Sequence, residues 1–311
     1  MDRNLFVDYA KVAMALMVVA IHAGLFSDMA PPLGYLLTEG LFRMAVPVFF
    51  VFNGYYLGLA IHNQHATIKL VKRILVLYAI WMLVYAPFYP HPEGDGLRVL
   101  KDVGKLVLFG YYQLWYLIGL VYAVVLLRMT RKLGVPWLLI LGLGLFGTAT
   151  VLQYLNAYTD INLAVWKYRN GVLFGFPFVL AGYLLRTRGE HVSTRAAWAI
   201  LAAGLCGLAV EALIAGRYAR DTLNVDVYLC LILVAPAVAM LLVRSTRHLH
   251  TDLAAKLSTH IYLIHTLMIT VAIAWFHLPR AGTPLFLAAA ALSLLAFPPV
   301  YYLSRKLRFI L

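Results

Sequence analysis

The sequence predicts an all-α, polytopic integral membrane protein of about ten transmembrane helices, with both termini in the cytoplasm. Three observations point there. The 311 residues are 63% hydrophobic and only 13% charged, about half the charged share of an ordinary soluble domain. Mean hydropathy is +0.83, whereas a soluble fold of this length needs far more polar surface to cover its core. Apolar runs of spanning length recur from one end of the chain to the other. A span needs about 20 apolar residues, so ten of them leave no room for a soluble domain. Residues 1–311 read as a single transmembrane domain.

The candidate spans are roughly 5–26, 41–61, 70–89, 113–128, 135–154, 169–186, 196–215, 226–244, 257–276 and 284–303. Pro31-Pro32, the Pro-Gly-rich run 90–94 and Gly134-Val135-Pro136 punctuate them as turns. With the N-terminus inside, 17 of the 26 Lys and Arg fall on the inner side and 9 on the outer, three in every inner connection. That asymmetry sets the orientation, and the placement expected is the inner (cytoplasmic) membrane of the cell. The segment 97–110, LRVLKDVGKLVLFG, is amphipathic and should lie along the outer surface. The net charge of +13 is spread over the connections rather than gathered on one face, which argues against nucleic acid as a partner. Cys206 and Cys230 are too far apart for a redox pair, and no zinc spacing or other metal site is visible.

Ionisable groups inside a bilayer are costly, so those that persist are functional candidates. Here they are Lys11, His22, Arg43, Glu211 and His265, with Asp8, Arg169 and Asp226 near span ends. Lys11 and His22 are eleven residues apart. That is about 20° past three full turns and about 16 Å of rise, so both lie on one face of the first helix. Asp8 joins the stripe. Such a face should line a polar passage rather than meet lipid. Arg43, Gln113, Trp115, Arg169, Asn170, Glu211 and Asp226 fall at a similar outer level and look like a converging site. About half of them are expected to be ordinary interfacial decoration, Asp226 and Arg43 foremost. Glu211, after the apolar run LAAGLCGLAV, needs a partner, and His22 and Arg169 are the candidates. Lys69, Lys72 and Arg73 cluster at the start of the third span, as a phosphate-binding group or as plain positive-inside charge.

These residues carry a resemblance. The first helix has Lys11-x10-His22, the second FRMAVPVFFVFNGYYL, and the third opens KLVKRILVLYAIW. QLWYLIGL, RNGVLFGFPFVLAGYLL and KLSTHIYLIH follow in order. Together they resemble the membrane-bound acyltransferase family 3, whose members O-acylate cell-envelope glycans. Lys11 stands where the family commonly has arginine, Asn53 where it has serine, and Lys69-x-x-Lys72-Arg73 where it has an arginine pair. The resemblance implies an O-acyltransferase with acetyl-CoA, or another acyl-CoA, as cosubstrate and no bound cofactor. The acceptor would be a glycan or lipid-linked sugar. On that reading His22, Lys11 and Glu211 are the catalytic group, with His22 as base and Glu211 orienting it. Lys69, Lys72 and Arg73 bind the donor, and Trp115, Arg169 and Asn170 hold the acceptor. The alternative is a multi-pass transporter of an amino acid, sugar or lipid-linked glycan.

Overall fold

The computed structural model describes residues 3–90, 96–220, 225–245 and 247–306. The Pro-Gly-rich stretch 91–95 and the last inner arginine, Arg308, lie outside them. The described residues form helices joined by loops, with a two-residue antiparallel pairing of Arg3–Asn4 with His248–Leu249. In order, the helices are α1 (Leu5–Ala23), α2 (Pro31–Tyr35), α3 (Ala45–Leu57), α4 (Gln64–Tyr85), α5 (Gly96–Phe109), α6 (Trp115–Thr130) and α7 (Val135–Tyr158). There follow α8 (Phe176–Arg188), α9 (Thr194–Tyr218), α10 (Leu231–Val243), α11 (Leu253–Phe276), α12 (Thr283–Leu295) and α13 (Phe297–Lys306).

Among the described residues, seven segments are long and apolar enough to cross a membrane: α1, Pro31–Leu57, Tyr112–Thr130, α7, α9, α11 and Thr283–Lys306. The three other expected spans fall on helices that do not meet that requirement. Lys69, Lys72 and Arg73 crowd the first half of α4, while α8 and α10 are 13 residues each. Large apolar side chains such as Leu83, Trp275 and Leu295 point outward uncovered. A bilayer is the solvent that makes such a surface stable.

At the centre sits α3, buried along nearly its whole length, packed against α8. Glycine makes this crossing possible. A methyl group on Gly54 would lie 1.9 Å from the carbonyl oxygen of Val179, and one on Gly182 2.0 Å from that of Val51. Small residues let backbones approach this closely where no hydrophobic effect drives helices together. Gly182→Ala should therefore force α3 and α8 apart at a cost of about 1–3 kcal/mol. A lowered thermal midpoint of the purified protein in detergent is the expected result.

Two further features place the site. Asn4 caps α1 by accepting from the Val7 N–H at 3.0 Å, and its Nδ2 donates to the Ser245 carbonyl at 2.9 Å. This ties the start of α1 to the end of α10. At the other end of the bundle, the last carbonyls of α5 have no partner within their own helix. The Tyr78 hydroxyl donates to Val107 and the Tyr122 hydroxyl to Leu108, each at 2.8 Å, and these bonds pin α5 to α4 and α6.

Candidate active site

The stripe on α1 meets α3 at two levels. Near the start of α1, Lys11 Nζ lies 5.1 Å from the centre of the Tyr56 ring, 5.6 Å from that of Phe52 and 3.9 Å from Asp8 Oδ1. A cation between two aromatic faces and a carboxylate is well held in a low-dielectric setting. Three turns later, His22 faces a cavity of about 60 Å3, room for a few water molecules. The His22 ring is exposed, and it borders this chamber. Arg43, Gln113, Arg169, Asp226 and Tyr262 share the chamber with it.

The ring that partners His22 is His265, from α11. The two imidazoles stack with centroids 5.2 Å apart and planes 28° from parallel. His265 is wholly buried. Its Nδ1 lies 2.7 Å from the Tyr262 carbonyl oxygen, which can only accept, so Nδ1 carries the proton. Nε2 of His265 is then an acceptor, and it has no hydrogen-bond partner among the described residues. Below the pair, the Tyr262 hydroxyl donates to the Gln113 carbonyl at 2.6 Å, and the Thr266 hydroxyl donates to Gln113 Oε1 at 2.7 Å. These bonds lock α11 to the turn that opens α6. An orienting shell of this kind fixes a reactive ring within a narrow range of angles.

Above the pair lies an ionic network. Arg43 pairs with both Glu39 and Asp226, and Arg169 donates to the second oxygen of Asp226 at 2.5 Å. Two cations and two carboxylates balance, which is what lets such groups lie in a bilayer-embedded core. Local backbone irregularities bring them together. Glu39 sits in a π-helical turn, Leu36–Gly40, and Arg43 in the tight turn that follows it. Arg169 lies two residues before a second π-turn, Gly171–Gly175. Asp226 lies in the non-helical stretch 225–228, buried throughout, whose Asp226 N–H donates to Gln153 Oε1 at 3.1 Å. Non-helical backbone inside a membrane protein is tolerated where protein buries it or a cavity hydrates it, and here protein buries it.

The structure corrects several expectations. Glu211 does not orient His22, nor does it pair with Arg169. Its carboxylate accepts from the Tyr154 hydroxyl at 2.8 Å and from the Leu229 and Cys230 N–H groups at 3.1 and 3.0 Å. It therefore caps the start of α10, where a negative charge complements unpaired donors. Glu211→Gln should lower the thermal midpoint yet leave the chamber geometry intact, with the His22–His265 stacking unchanged in a variant structure. Asn170 also serves the fold: its Oδ1 accepts from the Val172 and Leu173 N–H groups at 3.0 and 2.9 Å and so caps the second π-turn. Asp226 and Arg43, set aside as interfacial decoration, are the centre of the ionic network. Asn53 is occupied as well, donating to the Tyr116 hydroxyl at 2.7 Å. Trp115 and Arg169 do come together. The guanidinium carbon of Arg169 lies 5.1 Å from the centre of the Trp115 ring, and both side chains line the chamber. Lys69, Lys72 and Arg73 are exposed along α4, away from the chamber's lining.

Fold and site define a helical membrane protein with a stacked histidine pair, one ring of which borders a chamber lined by charged, polar and apolar side chains. The chain belongs to the acyltransferase 3 family, whose model, described as an acyltransferase domain, matches residues 4–305. Among curated relatives it is similar to a serine/alanine racemase of Enterococcus gallinarum, 29% identical over 284 residues, or 85% of this chain and 40% of that one. It is also similar to an amino-acid racemase of Enterococcus faecalis, 27% identical over 287 residues, 85% of this chain and 41% of the relative. The chain thus spans about two fifths of the length of these relatives. No solved structure matches.

Proposed function

We propose that this chain is an integral-membrane O-acyltransferase that moves acetyl from acetyl-CoA to a hydroxyl of a cell-surface carbohydrate or its precursor. The observation behind this reading is the His22–His265 pair, one ring open to a polar chamber and the other held behind it. The acceptor hydroxyl gives its proton to His22 as its oxygen attacks the thioester carbonyl carbon. The carbon–sulfur bond then breaks, and the CoA thiolate takes the proton back from the imidazolium. His265, held by its bond to the Tyr262 carbonyl, stacks on His22 and fixes the plane of its ring. Arg169 and Arg43 face the same space and stabilise the developing oxyanion. At the cytoplasmic end, Lys69, Lys72 and Arg73 attract the phosphates of the donor, and Lys11 receives its thioester arm. The test is direct. Membranes containing the chain, given acetyl-labelled CoA, should release an alkali-labile label into a glycan fraction. Absence of that ester across the glycans of the host removes the reading.

A second reading has one observation in its favour. Two similar proteins are named for amino-acid racemisation, and this chain covers only about two fifths of each. A shared membrane portion that brings an amino acid to its partner domain would account for both facts. Serine or alanine counterflow in proteoliposomes, without consumption of acetyl-CoA, supports it over transfer.

A further inference from the structure

None of the fourteen residues of α5 is buried, whereas its neighbours α4 and α6 each bury several side chains. Leu97, Leu100, Val107 and Leu108 on α5 are all more than half exposed, while Arg98, Asp102 and Lys105 form a charged stripe along it. A helix of this kind lies in the plane of a bilayer surface. An element that buries so little opens locally at low free-energy cost.

What holds α5 is gathered at its last turn. The Tyr78 hydroxyl donates to the Val107 carbonyl at 2.8 Å and reaches that of Leu106 at 3.3 Å. The Tyr122 hydroxyl donates to the Leu108 carbonyl at 2.8 Å. The Phe109 ring packs on Trp166, centroids 4.7 Å apart. Two hydroxyls and one ring contact thus fasten a helix that has no core of its own.

The same helix walls an open cavity of about 790 Å3. Trp115 and Arg169 line both this cavity and the His22 chamber, so the two adjoin. Trp115 is also where α5 bears on the bundle. Gly110, which follows α5, is left-handed at φ +80°, and a methyl group there would lie 2.6 Å from the Trp115 nitrogen. The exit of α5 therefore rests directly on the backbone that opens α6. Tyr112, between them, is held at φ +42°, a region that a bulky residue occupies only under constraint. A movement of α5 is felt at Trp115.

We infer that α5 is a lid over the way to His22. It pivots at Gly110, is latched by the Tyr78 and Tyr122 hydroxyls and by the Phe109–Trp166 contact, and on lifting opens the passage past Trp115. Hinged elements of this kind control access to many enclosed sites. The inference rests on the chamber and not on what reacts there, so it stands under either reading above.

The test follows how fast a membrane-impermeant methanethiosulfonate modifies His22→Cys in the full chain in nanodiscs, with Cys206→Ser and Cys230→Ser removing the native thiols. Tyr78→Phe combined with Tyr122→Phe deletes only the latching hydroxyls. Each such bond shifts a local equilibrium by about fivefold, so the double variant should react roughly tenfold faster or more. Tyr154→Phe removes a hydroxyl bond that does not involve α5, and it should lower the thermal midpoint without speeding modification. Phe109→His combined with Trp166→His lets zinc bridge α5 to the facing wall. Zinc should slow modification in that variant but not in Phe109→His alone, and a chelator should restore the rate. An unchanged rate in the double tyrosine variant overturns the lid, as does a bridged variant that reacts as fast with zinc as without it. An equal acceleration in Tyr154→Phe overturns it too, because loosening anywhere in the bundle would then suffice. Acyl transfer is not read in any arm, so loss of the transferase reading leaves this result standing.

Discussion

Asp226→Ala is expected to cost the protein about 3–5 kcal/mol of stability, the range for breaking a buried ion pair from one side. Asp226 holds Arg43 on one oxygen and Arg169 on the other, and both it and Arg43 are largely shielded from water. Its removal leaves Glu39 as the one carboxylate of the network facing two guanidinium groups. The expense lies in that uncompensated charge rather than in the lost contacts. Asp226→Asn should fall between wild type and alanine, since the amide keeps the shape and part of the hydrogen bonding but not the charge. Thermal unfolding in detergent, followed by tryptophan fluorescence, measures both variants. Equal midpoints for wild type and Asp226→Ala would show that the network adds nothing to the fold. Arg43→Ala should be as harmful, with Glu39 then stranded and Asp226 keeping Arg169.

His22→Ala is expected to reduce acyl transfer by roughly 10²–10⁴-fold, the usual contribution of a positioned general base. Stability should change little, because the ring borders a cavity instead of filling the core. That separation of activity from stability distinguishes a chemical role from a packing one. His265→Ala should lose activity and stability together, because its ring is wholly buried and bonded to its own helix. Full transfer by His22→Ala in membranes would end the catalytic assignment.

The parts of this architecture governed by local periodicity were legible in the residues. Composition alone predicted an all-helical membrane protein, and the eleven-residue spacing placed Lys11 and His22 on one face of α1. The parts that depend on broken helices were not. The eighth span was expected to run from 226, but the chain is non-helical over 225–228 and α10 starts at Leu231. That stretch carries Asp226 into the chamber and presents the Leu229 and Cys230 N–H groups to Glu211. Both carboxylates were therefore misassigned by one unforeseen unwinding. Glu39 escaped notice because the second span was started at 41, whereas a π-turn carries the helix on from Pro31. π-turns arise from tertiary contacts more than from local sequence and cluster at functional sites. The opposite charges of Arg43 and Asp226 at one expected depth were the available signal for the network. His265 was visible as an intramembrane histidine, but its stacking on His22 depends on how α1 and α11 cross.

The central claim is that position 22 borders a wet chamber reached from the face where α5 lies. The direct measurement is thiol labelling of His22→Cys, with Cys206→Ser and Cys230→Ser removing the native thiols, in sealed vesicles of known orientation. A membrane-impermeant methanethiosulfonate added on the outer face should modify the introduced thiol, and Trp115→Ala, which widens the way between the two cavities, should speed it. A thiol that stays unmodified from the outer face, or that reacts only from the cytoplasmic side, would contradict the claim.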